Sequence, residues 1–221
     1  MSETTRQDEG SVLALLAGVV FVAVVNGTMI NVALPYIGGD FGVTEGVYGW
    51  IVTAYVVSFG VFNAIDGRLA DIVGIKRLYV AAIGVLGVAS VAIAASPTIE
   101  MIIAIRIIQG AGAAGLPVMG ATIISQLFPP ADRGSAMGVI LSTVGFAASL
   151  GPFIGGLLVQ YIHWRAVFGL VGLVLLAIPV ALKLLPDELD EVEGRAFDLP
   201  GAVLMGSGVA LLIYGFNVVE D

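Results

Sequence analysis

The chain has no cysteine, a single histidine and few charges: Lys, Arg, Asp and Glu together make up 12% of its 221 residues. Without cysteine there is neither a disulfide nor a thiolate metal site, and one histidine, His163, argues against a histidine-built metal centre. No glycine-rich phosphate loop ends in Lys-Ser or Lys-Thr, and no convincing nucleophile–base pair is present. These absences speak against a hydrolytic enzyme and against ATP as an energy source. No cofactor is expected, and nucleic acid is not an expected partner. Residues 1–9 are polar and acidic, unlike the basic and apolar regions of a signal peptide.

What the chain has instead is apolar surface. Its hydrophobic fraction is 58% and its mean hydropathy +1.04, against about 45–50% apolar residues in a soluble domain. Too little polar surface remains to cover such a core in water, so the solvent must be lipid. Thirty glycines accompany it. In a soluble helix each would cost about 1 kcal/mol relative to alanine, whereas in a bilayer small residues let helices pack closely. The net charge of −8 belongs to solvated parts, because most of the acids lie in the tails or between Asp187 and Asp198.

A membrane span needs about 20 mostly apolar residues. Hydropathy predicts seven spans, over 12–36, 48–67, 77–96, 100–127, 135–161, 164–185 and 199–218. The predicted breaks are Gly-Gly-Asp at 38–40, the polar run 67–77, Ser-Pro-Thr at 96–98, Pro-Pro-Ala-Asp-Arg-Gly at 129–134, Ile-His-Trp-Arg at 162–165 and an acidic linker. The expected organisation is a cytoplasmic tail (1–11), a six-helix bundle (12–185), a cytoplasmic linker (186–198) and a seventh helix (199–221). Arg6, Arg68, Lys76, Arg77, Arg133, Lys183 and Arg195 fall on one face, and only Arg165 on the other. By the positive-inside rule the N-terminus is cytoplasmic and the chain is a multi-pass protein of the cell membrane.

Between the second and third predicted spans stands Gly67-Arg68-Leu69-Ala70-Asp71-Ile72-Val73-Gly74-Ile75-Lys76-Arg77. It reads as a tight cytoplasmic turn with a carboxylate at a helix end, two glycines and a basic cluster. It resembles the loop G-x-L-A-D-x-x-G-x-[RK]-[RK] that marks the major facilitator superfamily, with Ile72 where an Arg is usual. Asn31-Val32-Ala33-Leu34-Pro35 resembles the multidrug branch of that family. Arg106-Ile107-Ile108-Gln109-Gly110-Ala111-Gly112 is similar to its R-x-x-Q-G-x-G. Gly151-Pro152-Phe153-Ile154-Gly155-Gly156 is similar to the G-P-x-x-G-G of its antiporters, with Ala147 where a Gly usually precedes. Trp164, Arg165 and Phe168 resemble its W-R-x-x-F.

Several polar residues then stand out. Arg106 lies about two turns inside its span, where a charge costs several kcal/mol unless paired or hydrated. Gln109, at i+3, shares its side of the helix. The resemblance implies proton coupling for Arg106; a purely structural Arg bonded to carbonyls is the competing reading. Asn26 and Asn31 could line a substrate cavity or bond neighbouring helices, and five residues of spacing keep them off one line. Multidrug relatives often carry an acid where this chain has the neutral Asn26. Asp66, about 7.5 Å further in than Asp71 by helix rise, is either an interfacial acid paired with Arg68 or Lys76, or a proton-shuttling carboxylate. Gly151 and Pro152 should interrupt the helix ladder and bend the fifth span, with Gly155 and Gly156 giving a close-packed face. Trp164 and Arg165 are expected to anchor the outer interface, His163 to be solvated, and Asp187 to Glu193 to form a linker with no binding chemistry.

The short linker before Phe197-Asp198-Leu199-Pro200-Gly201 resembles fourteen-span drug:proton antiporters, of which this chain would supply the N-terminal half. The resemblance implies proton-coupled (or sodium-coupled) export of small amphipathic drugs or metabolites by alternating access. Arg106, Gln109 and Asp66 would carry coupling, and 67–77 would form the cytoplasmic gate. One six-helix bundle has nothing to rock against. The expected partners are therefore a small-molecule substrate, the coupling ion, the bilayer, and either a missing C-terminal half or a second copy. The alternative is a non-transporting partner subunit, or a split-gene fragment that binds a full-length relative.

Overall fold

The computed structural model describes residues 3–190 and Gly208. Among the described residues six helices are long and apolar enough to cross a membrane. They are span 1 (Glu9–Phe41), span 2 (Glu45–Val73), span 3 (Ile75–Ala95), span 4 (Ile99–Leu127), span 5 (Pro130–Tyr161) and span 6 (Trp164–Leu184). The predicted seventh span and the linker beyond Asp190 lie outside the described residues, Gly208 apart. Span 1 extends a helix that already begins at Glu3, so most of the predicted tail is helical.

Three predicted breaks move, each for a backbone reason. Gly38-Gly39-Asp40 is helical, and the chain turns at Gly42, whose φ is +64°. Gly38 is small for another purpose: a Cβ there would run into the Tyr48 ring. The run 67–77 is not a loop. Helix continues through Val73 and resumes at Ile75, so only Gly74, at φ +95°, separates spans 2 and 3. Exposed charges do not end a helix; a left-handed residue does. Span 5 starts at Pro130 rather than 135, because proline suits the first helical position, where no N–H is needed.

Internal prolines act unevenly. Span 4 is interrupted at Gly115, between helices Ile99–Ala114 and Leu116–Leu127, where Pro117 cannot donate to the preceding turn. Span 6 passes through a 3-10 segment, Leu173–Leu176, ahead of Pro179. Span 5 is assigned as one helix from Pro130 to Tyr161 with Pro152 inside it, where the missing N–H removes one bond of the ladder.

The packing repeats itself. Span 1 lies along spans 5 and 6, span 4 lies along spans 2 and 3, and spans 3 and 6 meet each other. Exchanging spans 1–3 with spans 4–6 leaves this pattern unchanged. Successive spans alternate in direction, so the two halves are inverted repeats. Glycines stand at the matched crossings: Gly155 of span 5 against the backbone of Met29, and Gly110 of span 4 against the backbone of Tyr55 and Phe59. Both let backbones approach where a side chain would hold them apart.

Candidate functional site

At the centre of the bundle, polar side chains from four spans converge on Arg106. Asn26, Ser90, Arg106 and Gln109 are fully buried, and Tyr55 is nearly so. The Arg106 Nε–H donates to the Ile51 carbonyl at 3.0 Å, and Nη1 donates to Gln109 Oε1 at 2.6 Å. The guanidinium stacks on Tyr55, 4.1 Å from the ring centroid. Gln109 in turn donates through Nε2 to Ser90 Oγ at 2.7 Å and, at a long 3.4 Å, to Asn26 Oδ1. The Ser90 hydroxyl donates to the Leu86 carbonyl at 2.6 Å.

Every partner of the guanidinium in this network is neutral. Its positive charge is held by a carbonyl, an amide oxygen and a ring face, the last contributing about 2 kcal/mol when desolvated. Nη2 of Arg106 and Nδ2 of Asn26 are buried with no hydrogen-bond partner. Such a site is incomplete: it offers N–H donors and a positive charge to any acceptor that can reach it.

The other sequence-predicted residues fall in different places. Asn31 is exposed and does not join Asn26, which is fully buried inside the bundle. Asp66 lies eleven residues along span 2 from Tyr55, about 16 Å by helix rise. It is 5% exposed, and its carboxylate packs against Gly115, at the break in span 4. Gly67, Arg68, Asp71 and Arg77 are exposed at the end of span 2 and the start of span 3, with Gly74 and Lys76 buried between them. Lys76 donates to Asp187 Oδ1 at 2.6 Å. The lysine beside it holds the Asp187 carboxyl below its ordinary value, with Arg77 adding to the effect. The first part of the acidic linker therefore binds the 67–77 motif, contrary to the expectation of a chemically idle linker, and Leu189 is buried with it.

The glycines of the 151–156 motif pack against span 1. Gly151 and Gly155 lie against Thr28 and Met29, Gly156 faces Val32, and Pro152 is exposed. At the opposite end of the bundle, Trp164 is 2% exposed and so is no interfacial belt residue. Its Nε1–H donates to Asp40 Oδ2 at 2.9 Å, tying span 6 to span 1. Arg165 donates to the carbonyls of Ala94 and Ser96 and closes the end of span 3. His163 caps span 6, accepting from the Arg165 N–H, and is exposed as expected.

Sequence reasoning missed Tyr55, Ser90, Asn63 and Asp187 as participants. Asn63 donates to the Ala114 carbonyl beside the break in span 4. A polar residue inside an apolar run is a visible signal, but its partner on another span is not.

Comparison with known proteins agrees with this architecture. The Major Facilitator Superfamily matches residues 16–216. The chain is 30% identical over 207 residues to the riboflavin transporter RibZ of Clostridioides difficile, covering 93% of this chain and 45% of that protein. It is 34% identical to the puromycin resistance protein pur8 of Streptomyces alboniger, covering 95% and 42% respectively. It is 31% identical to the tetracenomycin C resistance and export protein of Streptomyces glaucescens, covering 93% and 38%. The crystal structure of the peptide transporter POT superimposes with a TM-score of 0.74 at 18% identity, over 99% of this chain and 49% of that one. The chain thus spans less than half the length of these curated relatives and corresponds to an N-terminal half. Its relatives are transporters and not enzymes, and its apolar helices make it a multi-pass membrane protein. The chain belongs to the Major Facilitator Superfamily.

Proposed function

We propose that this chain is the N-terminal bundle of a secondary active exporter that exchanges protons for small amphipathic drugs or metabolites by alternating access. Similarity to proteins of antibiotic resistance and export supports the direction of transport. The observation that carries the coupling role is the buried Arg106, held by neutral groups and with Nη2 unpartnered. An unneutralised charge inside a membrane protein costs several kcal/mol, and such residues mark ion and substrate pathways. Gln109 and Asn26 tie that charge to spans 1 and 3, so a change at one span is felt by the others. Asn31, exposed on span 1, is positioned for a cavity shared with a second bundle, supplied by a C-terminal half or a second copy. The motif 67–77 forms the cytoplasmic gate, in the cell membrane with the N-terminus inside.

Efflux of a fluorescent amphipathic cation from energised membrane vesicles carrying this protein tests the proposal. Arg106→Ala should abolish efflux while membrane insertion is unchanged; efflux at the unmodified rate would remove Arg106 from coupling. If the chain gives no efflux alone but changes that of a co-expressed full-length relative, it is a partner subunit instead.

A further inference from the structure

The coupling ion needs a group that can take it up, and the central network offers none: Asn26, Gln109 and Ser90 do not titrate near neutral pH, and Arg106 is effectively always protonated. Asp66 is different. It is the buried acid among the described residues, 5% exposed, and its Oδ2 has no hydrogen-bond partner. A carboxylate serving only to brace two helices would have both oxygens satisfied, because an unpaired buried charge is strongly disfavoured. Binding a proton on Oδ2 removes that charge.

The surroundings suit a proton rather than a metal cation. Gly115 packs directly against the carboxylate, and the Ala114 carbonyl before it accepts from Asn63. Among the described residues no group of three or more His, Cys, Asp or Glu side chains stands together, so Asp66 has no set of acidic ligands with which to share a metal cation. The charged groups on neighbouring elements are few. Span 4 carries only Glu100 and Arg106, fifteen and nine residues before Gly115, about 22 and 13 Å by helix rise. Span 3 carries only Lys76 and Arg77, and Lys76 is engaged by Asp187. On span 2 itself, Arg68 and Asp71 are exposed nearer its end.

The contact also sits where span 4 is broken. Gly115 separates the two helices of that span, and a Cβ on it would stand 2.5 Å from Asp66 Oδ2. A side chain there would force the carboxylate, and Met119 beside it, to shift. The first of those helices carries Arg106 and Gln109.

We propose that Asp66 is the proton-binding site of this bundle and that its charge state sets the geometry of the break in span 4 at Gly115. The proton adds to Oδ2 and turns an acceptor into a hydroxyl donor. With its charge gone the carboxyl repacks against Gly115, and the joint between the two halves of span 4 is released. As a step in transport this rests on the exporter reading above; as a binding site it does not.

The test is pH-difference infrared spectroscopy of the protein in phospholipid vesicles, following the C=O stretch of protonated carboxyl groups. A band typical of a weakly hydrogen-bonded acid should appear on acidification and be missing from Asp66→Asn. Gly115→Ala, which keeps the acid but crowds Oδ2, should retain the band with a shifted midpoint. A band that persists in Asp66→Asn, or none in the unmodified protein at any pH, overturns the site. If Asp66→Asn does not fold, an unmoved midpoint in Gly115→Ala overturns it equally. A band that follows sodium at constant pH would make this a sodium site and overturn the proton assignment. Loss of efflux with an intact titrating band would count against the exporter reading alone.

Discussion

Arg106 shows how one residue binds a bundle together without an ion pair. Its side chain directs its hydrogen bonds to a carbonyl of span 2 and an amide of its own span, and its flat face to Tyr55. Lysine could not reproduce that fork and stack, having a single compact ammonium. Gln109 is the hinge of the network, because it accepts from Arg106 while donating to Ser90. Gln109→Ala leaves a buried guanidinium with one fewer partner, and an unsatisfied buried polar group costs about 1–3 kcal/mol. We therefore predict a clearly lowered thermal unfolding midpoint in detergent for Gln109→Ala. A midpoint equal to that of the unmodified protein would show that the network contributes nothing to stability.

At the scale of helices, close crossings depend on particular glycines and not on glycine content. A Cβ on Gly155 would stand 2.9 Å from the Met29 carbonyl oxygen, whereas Gly138, on the same helix, meets nothing within 4 Å. Overpacking of that kind costs about 1–3 kcal/mol. Gly155→Val should reduce thermal stability and Gly138→Val should not; equal effects would refute the crossing. A second element-scale contact is the return of the 3-10 turn Asp187–Asp190 onto span 3. The Asp187 carboxyl is held below its ordinary value of 3.8 by Lys76. A depressed carboxyl contributes at pH above the unfolded value, and the contribution fades as pH falls through the lower folded one. At neutral pH the turn is docked, and Asp187→Asn or strong acid should release it. Amide hydrogen exchange across 185–190 measures this directly. Exchange unaffected by Asp187→Asn would mean that the buried Leu185 and Leu189 alone hold the turn.

For the whole molecule, the contacts show which helix ends share a side. Glu9, Leu127, Phe128 and Lys183 line one hollow, and Lys76 meets Asp187, so the start of span 1 lies with the ends of spans 4 and 6. Asp40 meets Trp164, and Arg165 meets Ala94 and Ser96, at the other end. Asp132, at the start of span 5, therefore belongs to the basic end and Pro97 to its opposite, and both are exposed. The absence of cysteine makes a labelling test clean. In intact cells a membrane-impermeant maleimide should label Pro97→Cys and spare Asp132→Cys, which reacts only after the membrane is permeabilised. The reverse pattern would invert the proposed orientation.

How much of this was legible beforehand depends on which physical term decided it. Spans are set by the solvent: a run of apolar residues has the same meaning wherever it lies, so the six described spans, the basic end and the family motifs could be read from the chain. Arg106 and Gln109 stood out because polar groups inside apolar helices need partners. Helix ends were less legible, because a hydropathy window cannot distinguish Gly38, which packs on Tyr48, from Gly42, which turns the chain. The pairing of polar groups was decided only by tertiary structure. Asn26 and Ser90 meet Gln109 across two other spans, Lys76 finds Asp187 over a separation of 111 residues, and Asp66 comes to rest on the one interruption of span 4. Such partners depend on the rotation and depth at which each helix packs. Those are fixed by glycine crossings between whole helices and by no local property of the sequence.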